Sequence, residues 1–304
     1  MYVQYSENFP GIVVDEGTAK IYVDSRRAFH ELEKFYENVL SGNMNYFSVS
    51  DRYAAGIKRM IETLGRKPAG VEAVKGQCVG PLTFGLTVKD ESGKAVFHDP
   101  QLRDVTIKHI ILKSAWQIKT LADATGLGVM LFLDEPYLSA YGSAFTALSR
   151  DEAETTIKET VSGIKTAVAP LEALIGIHCC GNTDWSLLLD SDIDILSFDA
   201  YEFFDNLLLY SDKVGAFLSR GGRLAWGIVP TAEDALMKES AGSLITRLTD
   251  ATGRLAAKGV DLSKVRDSFI FTPACGLGSR SEKAAETALR LASEIAYLAA
   301  EAFK

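Results

Sequence analysis

The sequence predicts an α/β fold, a (β/α)8 TIM-type barrel, as a single domain over residues 1–304, and three observations lead there. From residue 71 onward short apolar runs alternate with helical patterns, the βαβ signature of a parallel sheet. Runs such as Gly128-Val-Met-Leu-Phe-Leu133 are apolar almost without interruption, so both faces of the sheet are covered. Several runs end in a polar or reactive residue, namely Asp134, Cys180, Asp199 and Cys275, and a barrel gathers its chemistry at the C-terminal ends of its strands. The alternative, a doubly wound sheet, is weakened because no Gly-x-Gly-x-x-Gly follows any strand. Six strands are clear, two short of eight.

Residues 1–24 are weakly patterned. Val13 and Val14 before Glu16-Gly17, with residues 21–23 after it, suggest a small hairpin or arm. From Ser25, which suits an N-cap, Phe29, Leu32, Tyr36, Val39 and Leu40 keep helical spacing until Gly42. A second helix follows Ser50 and ends by Gly65. Residues 71–79 read as a strand stopping at Gly80-Pro81, where proline suits a helix start. A long helix runs from Asp99-Pro100 to Ala124 and is stopped by Gly126. The strand 128–133 ends in Asp134-Glu135-Pro136, and a loop rich in Ser, Gly and Tyr leads to a helix over 149–168. Then come a strand at 173–180, a short helix at 184–189, a strand at 193–199, a helix at 206–220 and a strand at 223–229. A long helical region over 231–258 precedes a strand at 268–275, and the chain closes on a helix over 282–302.

Composition narrows the function classes. No apolar run approaches the roughly 18 residues of a membrane span, and Met1-Tyr-Val-Gln-Tyr-Ser lacks the basic-then-apolar pattern of a signal peptide. A cytoplasmic protein is expected. The net charge of -8, with no Lys/Arg cluster, argues against nucleic acid or an anionic membrane as partner. Four cysteines (Cys78, Cys179, Cys180, Cys275) in so long a chain do not make a disulfide framework, which favours metal or nucleophile chemistry.

The candidate site starts at His178-Cys179-Cys180. Side chains on a strand alternate faces, so His178 and Cys180 point one way and Cys179 the other. An imidazole and a thiol on one face are two preferred zinc ligand types. Cys275, at the end of the last strand, would be brought near them by a barrel. For a fourth ligand there are two candidates: Asp199 at a strand tip, sharing a face with residues 195 and 197, and Glu202 in the turn beyond. Asp199 is preferred. Against this, a cysteine is usually a small buried hydrophobe, and a strand histidine is more often a satisfied core residue. A strand-end Cys and a carboxylate in the right order tip the balance toward metal, leaving Cys78 and Cys179 as core residues.

These residues resemble the zinc site of the cobalamin-independent methionine synthase family, in its C-terminal catalytic barrel, a branch of the uroporphyrinogen decarboxylase-like superfamily. The matching elements are His178-Cys179-Cys180, Asp199 and Pro273-Ala274-Cys275-Gly276-Leu277. Gly80-Pro81-Leu82-Thr83 is similar to the family's Gly-Pro-Val-Thr, and Asp134-Glu135-Pro136 is identical to its Asp-Glu-Pro. The resemblance implies a zinc-dependent methyltransferase that moves a methyl group to a thiol, homocysteine giving methionine. Zinc lowers the pKa of a coordinated thiol, so that it binds as the nucleophilic thiolate. His178, Cys180 and Cys275 would hold the metal, while the carboxylate completes the shell or yields to the substrate sulfur. Asp134 would bind the substrate ammonium, against a plainer reading as a capping or solvated acid. Glu135 fits packing or hydrogen bonding better than catalysis.

Departures from the family matter as much. Its opening Ile-Gly-Ser-x-Pro strand and the strand after it have no counterpart, which accounts for the two strands missing from the barrel. The expectation is that the chain starts inside a longer protein or assembles as an oligomer that covers two open strand edges. The family's tryptophan after Gly-Pro-Val-Thr is replaced by Phe84-Gly85-Leu86-Thr87, and Gly227-Ile-Val-Pro-Thr231 carries no general-acid histidine. Taking a methyl from a folate amine needs a proton donor. A core-type enzyme using a methylcorrinoid donor such as methylcobalamin, delivered by a corrinoid protein, is therefore expected. Two other readings are a corrinoid methyltransferase acting on another thiol such as coenzyme M, and a zinc-stabilised scaffold without turnover.

Overall fold

The structure, a computed structural model, describes residues 1–66, 69–142 and 147–303. Residues 143–146 of the expected Ser/Gly/Tyr-rich loop lie outside the described residues. The chain divides into two compact units, 1–137 with 147–176 and 138–146 with 177–304.

In the first unit, β1 (Ile12–Asp15) and β2 (Lys20–Val23) form the antiparallel hairpin expected near the N-terminus. Helix α1 (Ser25–Leu40) is capped by Asp24, whose carboxylate accepts the Arg27 N–H, so the cap lies one residue before Ser25. Helix α2 (Ala55–Leu64) starts later than Ser50, because the Ser50 carbonyl first takes the N–H groups of Tyr53 and Ala54 in a turn. Strand β3 (Ala73–Val79) runs into α3 (Pro81–Thr87), with Pro81 in its first turn, and a two-residue strand β4 (Lys89–Asp90) pairs with β2. Helix α4 (Pro100–Thr125) has both ends signalled in the sequence. The Asp99 carboxylate accepts the N–H groups of Gln101 and Leu102, and Gly126 closes the helix at φ 68°, a left-handed conformation that favours glycine. Strand β5 (Gly128–Asp134) and helix α5 (Arg150–Val168), which opens on a Ser149/Glu152 capping box, complete the set before β6 (Ala173–Cys179).

Helix α4 is buried along most of its length and carries polar groups inward. The Gln117 amide takes the Gln77 N–H at 2.6 Å and donates to the Gln77 carbonyl at 3.0 Å, just as a neighbouring strand would, and the Tyr5 hydroxyl donates to the same carbonyl. The β3 edge, expected to be bare, is therefore satisfied by side chains at Gln77.

Strand β6 passes from the first unit into the second. There follow α6 (Ser186–Leu189), β7 (Ile195–Phe198), α7 (Phe204–Leu208), α8 (Ser211–Ser219), β8 (Arg223–Val229), α9 (Glu233–Leu236), α10 (Ala241–Ala257), α11 (Leu262–Asp267), β9 (Phe269–Pro273) and α12 (Glu282–Ala302). The helical region expected over 231–258 breaks in two because Ser240 and Ser243 exchange hydrogen bonds as a capping box that starts α10. Strands β7, β8 and β9 pair in parallel register. Their helix-facing side packs Phe198, Trp226 and Phe269 edge to face or tilted, with Phe204 stacked on Trp226.

The parallel sheet has six strands among the described residues, in the order β3-β5-β6-β7-β8-β9. It therefore has two ends, β3 and β9, and the expected eight-stranded barrel is present as six parallel strands. No helix among the described residues is long and apolar enough to cross a membrane.

Candidate metal centre

The second unit brings three residues together from two strand ends. His178 is the next-to-last residue of β6, Cys180 is the first residue past it, and Cys275 follows β9 by two residues. A ring nitrogen of His178 and the sulfurs of Cys180 and Cys275 all lie within 4.8 Å of one another. The alternation along β6 turns Cys179 the other way, into the core, where it is fully buried.

The backbone explains why these ends can meet. Gly227 on β8 sits against both flanking strands, and a Cβ there would lie 2.6 Å from the Phe198 carbonyl oxygen and 2.8 Å from Ala274 Cα. The Gly227 carbonyl accepts the N–H groups of Ala200 and Tyr201, and the Val229 carbonyl accepts that of Ala274. Glycine thus lets the turns after β7 and β9 close tightly around the end of β8.

The electrostatics favour one thiolate. Cys275 is exposed, and its thiol is pulled down to about 4 by the Cys180 thiol at its side and then by His178. Cys275 in turn pushes the half-buried Cys180 thiol up, with burial adding to it. His178 Nδ1 lies 3.0 Å from Ser197 Oγ on β7, while its buried Nε2 has no hydrogen-bond partner among the described residues. A buried, unmatched imidazole nitrogen beside two sulfurs is a donor set that fits zinc, with the other ring nitrogen fixed by a hydroxyl.

Asp199 and Glu202, the two candidates for a fourth ligand, are not in the group that lies within 4.8 Å. The Asp199 carboxylate is buried and accepts the Glu202 N–H at 2.9 Å. Burial pushes its carboxyl up to about 6, with the Glu202 charge adding to the rise. Glu202 lines a cavity of about 400 Å³ together with Tyr201, Phe204, Arg247 and Arg254.

In the first unit, Asp134 is buried at the end of β5, and its carboxylate accepts a hydrogen bond from the Gln77 side-chain amide. Glu135 is fully buried and accepts the N–H groups of Leu82 at 3.0 Å and Thr83 at 2.6 Å, tying the start of α3 to the end of β5. That is the hydrogen-bonding part expected of it. Gly80 has no room for a side chain, since a Cβ would lie 2.2 Å from Glu135 Cδ. Cys78 is fully buried, as expected of a core residue.

Sequence reasoning missed Ser197, whose signal was its place on the same strand face as Asp199, and Gly227, whose close backbone approach leaves no local signal.

No curated protein matches the chain. A family model described as cobalamin-independent synthase, catalytic domain, matches residues 53–298. That description runs against the expected methylcorrinoid donor and leaves a corrinoid protein without support. The matched residues take in Asp134, His178, Cys180, Asp199 and Cys275 together with all six parallel strands, and the chain belongs to the cobalamin-independent synthase catalytic-domain family.

Proposed function

We propose that this protein is a zinc-dependent methyltransferase that moves a methyl group to the thiol of homocysteine, giving methionine. Membership of the family supports methyl transfer to a thiol. The observation that carries the metal is the His178, Cys180 and Cys275 trio within 4.8 Å. Bound zinc would supply an acidic centre on which a substrate thiol is held as thiolate. The chain's own residues prepare that step. Ser197 fixes the imidazole of His178 by Nδ1 and leaves Nε2 to the metal, and Cys275 offers a thiolate at neutral pH. Asp199 stands as the proposed fourth ligand, with Glu202 the alternative, and Asp134 as the partner of the substrate ammonium.

The test combines metal analysis with turnover. The purified chain is expected to hold about one zinc and to form methionine from homocysteine when given a methyl donor, with methyltetrahydrofolate and methylcobalamin supplied in separate reactions. Cys275→Ala should lose both metal and product. Zinc without methionine from either donor would favour the scaffold, whose metal would be closed by protein ligands and unmoved by added thiol. Turnover of coenzyme M in preference to homocysteine would replace the acceptor.

A further inference from the structure

Cys179 and Gly181 flank the metal ligand Cys180 in sequence, and the metal trio gives neither of them a part. Both belong to the second unit, as does Ser139. The buried Cys179 thiol donates to the Gly181 carbonyl at 3.5 Å, spanning the residue between them. An S–H···O contact is weak by itself, yet this one closes the backbone around Cys180. Gly181 also has a neighbour from far away in the chain. A Cβ built on it would lie 2.6 Å from Ser139 Cβ and 3.9 Å from Ser139 Cα. The φ of Gly181 lies outside the left-handed region, so the backbone conformation does not call for glycine there. The approach of Ser139 does, because the space between the two backbones holds one side-chain carbon and not two. Ser139 is seated by its own turn, in which Leu138 is buried and its carbonyl accepts the Tyr141 N–H at 3.0 Å.

Cys180 is therefore held through both of its chain neighbours. Before it, Cys179 ends β6 with its side chain in the core. After it, Gly181 is bonded at its carbonyl and stopped by Ser139. A ligand side chain has to be kept within about 0.5 Å of its working place, and supporting contacts of this kind do that. We propose that Ser139, through its contact with Gly181, is a positioning residue that sets Cys180 as a metal ligand. This rests on the metal site proposed above.

The test loads the full chain with Co(II), whose thiolate charge-transfer band reports how many sulfurs are bound, and measures affinity by competition against a chromophoric chelator. Cys180→Ala supplies the level of the band for Cys275 alone. Gly181→Ala puts two side-chain carbons where one fits, and should weaken Co(II) by about 10–100-fold and drop the band to the Cys180→Ala level. Combining Gly181→Ala with Ser139→Gly leaves one carbon in that space again, and should recover most of the affinity and the two-sulfur band. If the wild type binds Co(II) and Gly181→Ala matches it, Ser139 does not position Cys180 and the metal site stands. A loss in Gly181→Ala that persists in the double variant also overturns the inference, since the added methyl then acts elsewhere than on Ser139. A wild type that binds no Co(II) overturns the metal site and this inference together. If Gly181→Ala does not fold, Ser139→Thr decides, because it crowds the same contact from the other backbone: loss of the Cys180 share of the band supports the inference, and a wild-type band overturns it.

Discussion

Ser197 Oγ lies 3.0 Å from His178 Nδ1, and this contact decides which ring nitrogen of the histidine is left for a metal. With Nδ1 engaged by a hydroxyl, the buried Nε2 is the free ligand atom. Partners of this kind orient a ligating imidazole, and their loss commonly costs 10–100-fold in metal affinity. Ser197→Ala is therefore expected to weaken zinc binding by about that factor, with little change in folding, as read by competition against a chromophoric chelator. Unchanged affinity would mean that the imidazole needs no such support.

The sulfurs differ in reactivity before any metal is present. The thiolate is the nucleophile, and Cys275 ionises at about 4, because the adjacent Cys180 thiol and then His178 stabilise its charged form. Cys180 is pushed the other way, and burial lifts Cys78 to about 12. In metal-stripped protein, iodoacetamide should label Cys275 ahead of the other three cysteines at pH 5.5. The rate should rise as pH passes 4 and level off by about 6. Added zinc should suppress it. Peptide mapping that showed Cys275 labelling climbing only through pH 8 to 9, like an ordinary thiol, would remove the thiolate from the argument.

Much of this arrangement was legible in the sequence because the period of a strand is short and strict. Alternation alone separated His178 and Cys180 from Cys179, and the cap residues at Asp99, Gly126 and Ser149 marked helix ends that the structure keeps. What stayed hidden depends on contacts between distant segments. A serine on a strand says nothing until the histidine it meets is known, so Ser197 carried only its shared face with Asp199. Gly227 and the Gln117 amide at the β3 edge act through backbone atoms far away in sequence, which no local pattern reports. The break between α9 and α10 was readable in principle, since Ser240 and Ser243 have cap spacing, but the helical periodicity masked it.

Glu135 gives the fold a pH dependence with a defined sign. Burial raises its carboxyl from 4.5 to about 7, against the Leu82 and Thr83 N–H groups that favour its charge. The folded state therefore binds the proton more tightly than the unfolded chain. This contribution to stability is fully present below about 4.5 and is lost as pH rises through about 7. From pH 5 to pH 8, wild-type stability should fall relative to Glu135→Gln by up to about 3 kcal/mol. Urea unfolding of both proteins across that range checks it. A difference that grows in the wild type's favour as pH rises would reverse the assignment.

The closest test of the site's construction is Gly227→Ala. The added methyl would meet the Phe198 carbonyl oxygen at 2.6 Å and Ala274 Cα at 2.8 Å, and both are backbone atoms that cannot swing aside. Phe198 leads directly into Asp199, and Ala274 into Cys275, so relief of the clash must move one or both strand ends. Overpacking of this kind costs about 1–3 kcal/mol. The geometric consequence is more specific, because parting the end of β9 from that of β6 separates Cys275 from His178 and Cys180. Gly227→Ala should therefore lose zinc affinity while still folding cooperatively. Gly253→Ala, within α10 where a Cβ meets nothing within 4 Å, should leave zinc affinity unchanged and raise stability by up to about 1 kcal/mol. Wild-type zinc affinity in Gly227→Ala would show that the trio does not depend on this close approach of strands.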